Sequence, residues 1–370
     1  MADKNMKQNN ERMPVMSNPP HIRSGESVAR VMWSVVIALA PAACFSVYQY
    51  GLTALMLMGV AVVSSLAAEA LIQLFLRKRV TALDGSAAIT GLLLAMNVPP
   101  GAPLWMVAIG SAFAIIIVKN LFGGLGFNIF NPALAARAFL LASWPVYMTT
   151  TWHRFGVQNV LMQNPQNAAG FPPAVFDALT GATPLALMKE GPKILADNSI
   201  PLAKLYDMAL SPGMLKSLFI GTAGGAMGET SALLLLAGAL FLMLRKIITW
   251  HIPVSYMATV AAAIAAYHYL AGLPSPPAMA LYHVLSGGLV LGAFFMATDP
   301  VTSPVSKKGM IVFGMGCGLI TFVIRIWGGY PEGVSYAILV MNAFVPLIDR
   351  YTKPRVFGVR EREKLSGAAK

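Results

Sequence analysis

Long apolar runs separated by short polar breaks set the pattern of this chain. The runs fall at 31–50, 52–76, 84–98, 104–121, 130–146, 218–244, 253–271, 281–297, 309–327 and 334–348. A bilayer core needs about 20 apolar residues per helix, so runs of roughly 15 to 25 residues predict about ten transmembrane helices. The runs at 84–98 and 130–146 are short, and Gly or Pro interrupts several others. Membrane helices tolerate such breaks where neighbours cover the freed backbone groups. The expected fold class is therefore an all-α integral membrane protein.

Basic residues orient the spans. With a cytoplasmic N-terminus, 20 of the 27 Lys and Arg fall on the cytoplasmic face, counting Arg77-Lys78-Arg79, Lys119, Arg245-Lys246, Lys307-Lys308 and the tail. Five fall on the opposite face (Arg154, Lys189, Lys193, Lys204, Lys216), and Arg137 and Arg325 lie within spans. The positive-inside rule then places both termini in the cytoplasm and residues 147–217 outside. The predicted organisation is a cytoplasmic segment 1–30, a first membrane half 31–146, an external loop 147–217, a second half 218–348 and a cytoplasmic tail 349–370. Five spans in each half give the halves opposite polarity, as in an inverted repeat with broken or half-length helices at matching positions. The runs "DGSAAITGLLLAMNVPP" and "LSGGLVLGAFFMATDP" are both Gly-rich with an Asp and a Pro at their ends, and are the expected broken pair.

Composition narrows the picture further. The chain is 56% hydrophobic and 11% charged, with a mean hydropathy of +0.65. Soluble domains carry roughly 25% charged residues, so a water-exposed surface is excluded. The formal charge of +12 sits mostly in the short links and reads as topology, with no nucleic-acid role. Cys44 and Cys317 both lie in apolar runs, and His21, His153, His251, His268 and His283 are scattered. No iron–sulfur or zinc motif can be read from them. A run as long as that after Val31 remains in the bilayer, so no cleavable signal is expected. The "APAAC" ending at Cys44 lacks the branched aliphatic and the short preceding region of a lipoprotein site.

Three polar motifs stand out. "DALTGATP" reads as a helix start, with Thr183 as N-cap and Pro184 at the first helical position. A helix N-terminus also favours phosphate. No base stands nearby, so an accessible Thr183 hydroxyl would receive chemistry rather than catalyse it. "FGGLGFNIFNPALAAR" lacks the strand and lysine of a nucleotide loop; it reads as a broken-helix corner in which Asn128 and Asn131 hydrogen-bond freed peptide groups. In "GAFFMATDPVTSP", Asp299 and Thr302 are expected to satisfy turn amides, and Asp299 is also placed for an ion entrance. The acids in or beside spans are Glu69, Asp84, Glu229, Asp299 and Asp349. Such groups are expensive in a membrane and usually functional. Glu69 and Glu229 lie deepest and are the main candidates for a cation route, with Arg137 and Arg325 as partners or snorkelling cations.

"DGSAAITGLLLAMNVPP", "GGLGFNIFNPALAARAF", "DALTGATPL" and "GAFFMATDPVTSP" together resemble one family. It contains the D subunits of bacterial Rnf complexes, the ion-translocating ferredoxin:NAD oxidoreductases, and the homologous B subunits of sodium-translocating NADH:quinone reductases. The resemblance runs from about Val31 to Arg350. The chain length fits the Rnf subunits better, because the quinone-reductase subunits carry a longer N-terminal extension. In this family the last threonine of Ser/Thr-Gly-Ala-Thr carries FMN through a phosphoester. The resemblance therefore implies covalent FMN on Thr183, with Asp177, Thr180, Gly181 and Ala182 forming the recognised turn and Thr180 standing where Ser is common. It also implies a separate flavin transferase that attaches FMN from FAD on the external face. A second, non-covalent flavin, riboflavin, is implied toward the cytoplasmic side, with Asn128, Asn131 and the "ATDP" turn as candidate neighbours. The implied fold is two inverted five-helix halves. The implied partners are iron–sulfur and NAD-site subunits, a second covalent-FMN subunit and small membrane subunits in the bacterial inner membrane. The implied activity is electron transfer across the membrane coupled to Na+ or H+ movement. The residues alone also allow a quinone-reductase subunit, a flavin-free channel or transporter, and a purely structural subunit.

Overall fold

The computed structural model of the chain describes residues 27–151, 183–197, 201–222 and 224–353. Among the described residues every regular element is a helix. The first set comprises α1 (Val28–Tyr50), α2 (Leu52–Phe75), α3 (Ser86–Met96), α4 (Leu104–Phe113) and α5 (Pro132–Ser143), with α4 continuing as a π-helix over Ala114–Asn120. The connecting region contributes α6 (Pro145–Thr150), α7 (Pro184–Asp197), α8 (Leu202–Ala209) and α9 (Pro212–Ile220). The second set comprises α10 (Ala232–Leu244), α11 (His251–Leu270), α12 (Pro276–Leu285), α13 (Leu289–Leu291, continued as a π-helix to Met296), α14 (Lys307–Trp327) and α15 (Val334–Tyr351).

Each apolar run read from the sequence thus has a helix, but the helices differ in reach. Among the described residues α1, α2 and α14 are long and apolar enough to cross a bilayer, and α12 with α13 makes a fourth candidate bent by 67°. Ser86–Met96, Leu104–Asn120, Pro132–Ser143 and Ala232–Leu244 are shorter apolar helices. The short and bent elements occupy the third place of each set, as the Gly-rich sequences predict. Their ends meet: Asn97, just after α3, donates to Leu93 O (2.7 Å) and contacts Met296 Sδ (3.6 Å) at the end of α13.

Local chemistry starts the helices where they start. Ser27, Ser231 and Ser306 accept from the backbone N–H groups of Arg30, Leu234 and Gly309. Asn131 accepts from Ala133 N (3.1 Å) and Leu134 N (3.3 Å) and is followed by Pro132. Each cap satisfies a donor that the helix leaves unpaired.

Packing is that of a membrane bundle, with small residues inward. In α2, Ala54, Ala61, Ser65 and Ala68 are buried while Leu52, Leu55, Val63, Leu71 and Leu74 are exposed. A helix that turns its large apolar side chains outward needs an apolar surround. At Gly91 a Cβ would lie 2.6 Å from Ala61 O, so α2 and α3 pack this closely only with glycine there. α2 packs on α3 and α4, and α11 packs on α12 and α14 in the same pattern, while α1 crosses α10 between the sets.

Two poles follow from α1, which at 23 residues spans roughly 34 Å. Its first turn, at Val31 and Met32, borders a pocket shared with Asn128, Asn131 and Asp299. Its last residue, Tyr50, donates to Gly225 O (3.2 Å) at the opposite pole, four residues before Glu229. The connecting region builds a second, smaller core there: Leu187, Leu205, Tyr206, Met208, Met214 and Leu218 pack on Met279 and Tyr282 of α12.

Candidate functional site

Thr183 opens α7 as the sequence predicts. Its Oγ1 accepts from Ala186 N (3.3 Å), and its carbonyl accepts from Leu187 N (2.8 Å). Two contacts hold the helix down. Tyr282 donates its hydroxyl to Pro184 O (2.6 Å), and Lys189 Nζ donates to Ile324 O (3.1 Å) and Tyr330 O (2.8 Å). Burial pushes the Lys189 ammonium below its ordinary value, with Glu190 opposing the shift.

This docking changes one expectation. The sequence reads the Thr183 hydroxyl as openly accessible, yet Thr183 is only 6% exposed, because α7 folds back onto α12 and the end of α14. What it faces is a cavity of about 440 Å³ that also meets Arg137 of α5, Glu190, Glu332 and the side chains of Tyr330 and Tyr336. The two tyrosine rings lie 5.9 Å apart at 21° and present a flat aromatic wall. A 150 Å³ apolar cavity holds one benzene ring, so by that yardstick this one is wide enough for roughly three fused rings. The residues fit a flavin phosphoester: a hydroxyl at the mouth, the N-terminus of a helix for the phosphate and an aromatic wall for the ring. Asp177, Thr180, Gly181 and Ala182 lie outside the described residues.

Arg137 and Glu332 line this cavity, and further charged groups lie behind them. Arg137 forms an ion pair with Glu332 and donates to Ser335 Oγ. Arg325 donates to Glu332 O (3.2 Å), His283 O and Ser286 O (3.3 Å). Glu229, in the single turn Met227–Glu229, lies with its carboxyl beside Gly225 and Gly288. Arg137 thus partners Glu332, an acid the sequence reading leaves out, and Arg325 bonds backbone carbonyls. Sequence reasoning misses Glu332, because "GGYPEGVS" looks like an exposed link. An acid flanked by glycines between two spans, seven residues after a buried arginine, is the signal that marks it.

Glu69 stands elsewhere, one and a half turns before the end of α2. Its partner is neither arginine but Lys119, at 2.6 Å, both buried. Lys119 also donates to Ser86 Oγ (2.6 Å), which donates to Asp84 (2.5 Å). The charge bias counts Lys119 as a loop cation, whereas the π-helix turns it into the bundle. Removing it leaves the asymmetry at 19 against 5. Glu69 Oε2 is buried without a partner among the described residues.

The remaining candidates meet at the same pole as Glu69. Asn128, Asn131 and Asp299 line one pocket together with Ser86 and Lys119. Asn128 donates to Phe130 O (3.2 Å), and Asn131 reaches across to Met296 O (3.3 Å) in the second set. Asp299 accepts from Val301 N (3.2 Å) and Thr302 Oγ1 (3.3 Å), the turn role expected of it. Asp84 likewise accepts from Ser86 N (2.8 Å). This pocket measures about 120 Å³, too small to enclose a tricyclic flavin.

Known proteins of the same length and pattern settle the family. The D subunit of the Na(+)-translocating ferredoxin:NAD(+) oxidoreductase complex of Acetobacterium woodii is 47% identical over 96% of this chain and 98% of the relative. The D subunit of the proton-translocating ferredoxin:NAD(+) oxidoreductase complex of Clostridium ljungdahlii is 43% identical over 97% of this chain and all of the relative. The D subunit of the ion-translocating oxidoreductase complex of Stutzerimonas stutzeri is 42% identical over 93% of this chain and 96% of the relative. The model of the NQR2, RnfD, RnfE family matches residues 15–358, and the chain belongs to that family.

Proposed function

We propose that this chain is the D-type membrane subunit of an ion-translocating ferredoxin:NAD oxidoreductase complex and carries FMN as a phosphoester on Thr183. The observation that carries the flavin reading is the placement of Thr183: an N-cap hydroxyl facing a ring-sized cavity with a tyrosine wall. Three similar relatives, all named as D subunits, favour the Rnf assembly over the quinone reductase. In this reading about ten spans form two inverted halves in the bacterial inner membrane, with the termini cytoplasmic and Thr183 external. The chain hands electrons between iron–sulfur and NAD-site subunits on one side and a second covalent-FMN subunit on the other. When bound, FMN supplies the electron-carrying chemistry; the protein holds and orients it. Because Thr183 is buried once α7 docks, the flavin transferase acts on it before docking or through the cavity mouth. Riboflavin at the opposite pole would meet Asn128, Asn131 and Asp299 along one edge only, the rest of its ring resting on another subunit.

The assignment is tested by expressing the chain with a flavin transferase and viewing a denaturing gel under ultraviolet light. A fluorescent band at this subunit, lost in Thr183→Ala, is the expected result. A dark wild-type band, or fluorescence that survives the substitution, overturns it.

Glu69, with its unpartnered Oε2 beside the Lys119–Ser86–Asp84 chain, is the proposed entry to the ion route, and Glu229 is its counterpart at the other pole. Glu69→Gln and Glu229→Gln are each expected to reduce ion uptake by vesicles more than NAD reduction by ferredoxin. Equal effects on both rates would remove that residue from the route. The choice of ion is open to the same assay, since two of the relatives quoted are named for Na+ and for protons.

A further inference from the structure

A second cavity, of about 180 Å³, lies against α7. Thr183, Ala186 and Glu190 line the first cavity, whereas Met188, Lys189 and Pro192 line the second. At about 100° per residue these are opposite faces of the helix. The other walls bring in His268 from α11, His283 from α12 and Arg325 from α14, and no acid among the described residues lines the cavity.

The cations here differ from those of the two ion pairs. Lys119 and Arg137 each have a carboxylate partner, Glu69 and Glu332. Lys189 and Arg325 have no carboxylate within 4.0 Å among the described residues. An ammonium carries three N–H donors and a guanidinium five. Lys189 uses two, on Ile324 O and Tyr330 O, and Arg325 uses three, on Glu332 O, His283 O and Ser286 O. Donors on both charged groups are therefore left over. His283 is 6% exposed, and its Nδ1 is buried without a partner among the described residues. His268 commits Nδ1 to Ile264 O (3.0 Å), which leaves Nε2 available.

Buried charges call for a counter-charge, and buried polar atoms left unpaired cost free energy. We propose that this cavity binds a phosphate group, either as inorganic phosphate or as the headgroup of a phospholipid. The donors stand on separate helices, so one ligand satisfies them only if it carries several acceptor oxygens. A halide offers a single centre, whereas a tetrahedral oxyanion offers four corners, and Arg and Lys are the side chains that pair with phosphate. The bound group bridges Lys189 of α7 to Arg325 of α14 and to the histidines of α11 and α12. It thereby clamps α7 in its docked place, and with it Thr183 at the start of the helix. The site stands whether or not Thr183 carries a flavin.

The full chain in detergent, dialysed free of phosphate, is titrated with radiolabelled inorganic phosphate, and mass spectrometry measures the phospholipid it retains. Wild type is compared with His283→Phe and Lys189→Gln. His283→Phe keeps a ring and removes a nitrogen that has no partner, so its thermal unfolding without phosphate is expected to match wild type. Lys189→Gln can still donate to one carbonyl. Each variant is expected to bind phosphate about tenfold more weakly, the weight of one charge-assisted hydrogen bond, or to lose the phospholipid that wild type retains. Saturable phosphate binding marks a free anion, and phospholipid missing from the variants marks a headgroup; either supports the site. Equal occupancy in all three proteins, or none in any, overturns it. Loss in one variant alone supports the site and removes the other residue from it. Hydrogen exchange reads the clamp: the amides of Pro184–Asp197 should exchange more slowly in occupied wild type than in His283→Phe. Equal exchange at full occupancy of wild type overturns the clamp.

Discussion

The molecule buries charge in two places and solves the cost differently in each. At the Asn131 pole, Glu69 faces a single cation, Lys119, and neutral groups complete the site: Gln73 donates to Glu69 Oε1 (3.2 Å) and Thr81 Oγ1 (2.9 Å), and Ser86 links Lys119 to Asp84. At the Thr183 pole, Arg137 pairs Glu332 at the edge of a cavity and also donates to Ser335 Oγ, while Arg325 donates to the Glu332 backbone. Removing one member from the first site strands its partner among buried groups. Removing the Glu332 carboxylate from the second leaves Arg137 with Ser335 beside the cavity. A sealed pair has no substitute for a lost partner, whereas a pair at a cavity edge retains other polar neighbours.

The largest expected effect breaks the simpler site. Lys119→Met leaves the Glu69 carboxylate buried with only Gln73 to bond it. Stranding one member of a buried pair costs about 3–5 kcal/mol. Thermal unfolding of the detergent-solubilised protein should show that loss, and Lys119→Met combined with Glu69→Leu should recover most of it. A single variant as stable as wild type would mean that the pair is not buried as the structure has it.

How far these sites are legible in the sequence follows from the same contrast. The apolar runs, the Asn131-Pro132 helix start and the Thr183-Pro184 start can all be read, because each depends on residues within a turn of one another. Glu69 is legible as a costly acid deep in a run. Its partner is not, because Lys119 stands beside "GGLGFN" and reads as a loop cation. The π-helix Ala114–Asn120 places more residues in each turn than an α-helix, and the smaller turn per residue shifts the register so that Lys119 faces inward. Glu332 is invisible for a different reason. Its own segment is a polar link, and the burial comes from Arg137, 195 positions away, and from α7 docking through Lys189. The depth of a residue in a link is set by what folds over it.

The second site is expected to give the smaller effect. The side chains of Arg137 and Glu332 are 11% and 10% exposed, against 3% and 2% for Lys119 and Glu69. Glu332→Gln takes the carboxylate from Arg137 but leaves Ser335 Oγ as its acceptor, and the backbone bond from Arg325 to residue 332 does not need the side chain. A charge at the edge of a cavity is less completely desolvated than one sealed in a bundle, so the loss is expected to be about 1–3 kcal/mol, the range for a buried donor left short of a partner. Thermal unfolding of this variant beside Lys119→Met under one condition measures the difference. A loss as large as that of Lys119→Met would show that the cavity does not relieve the Arg137 charge, and the contrast between the two poles would fall with it.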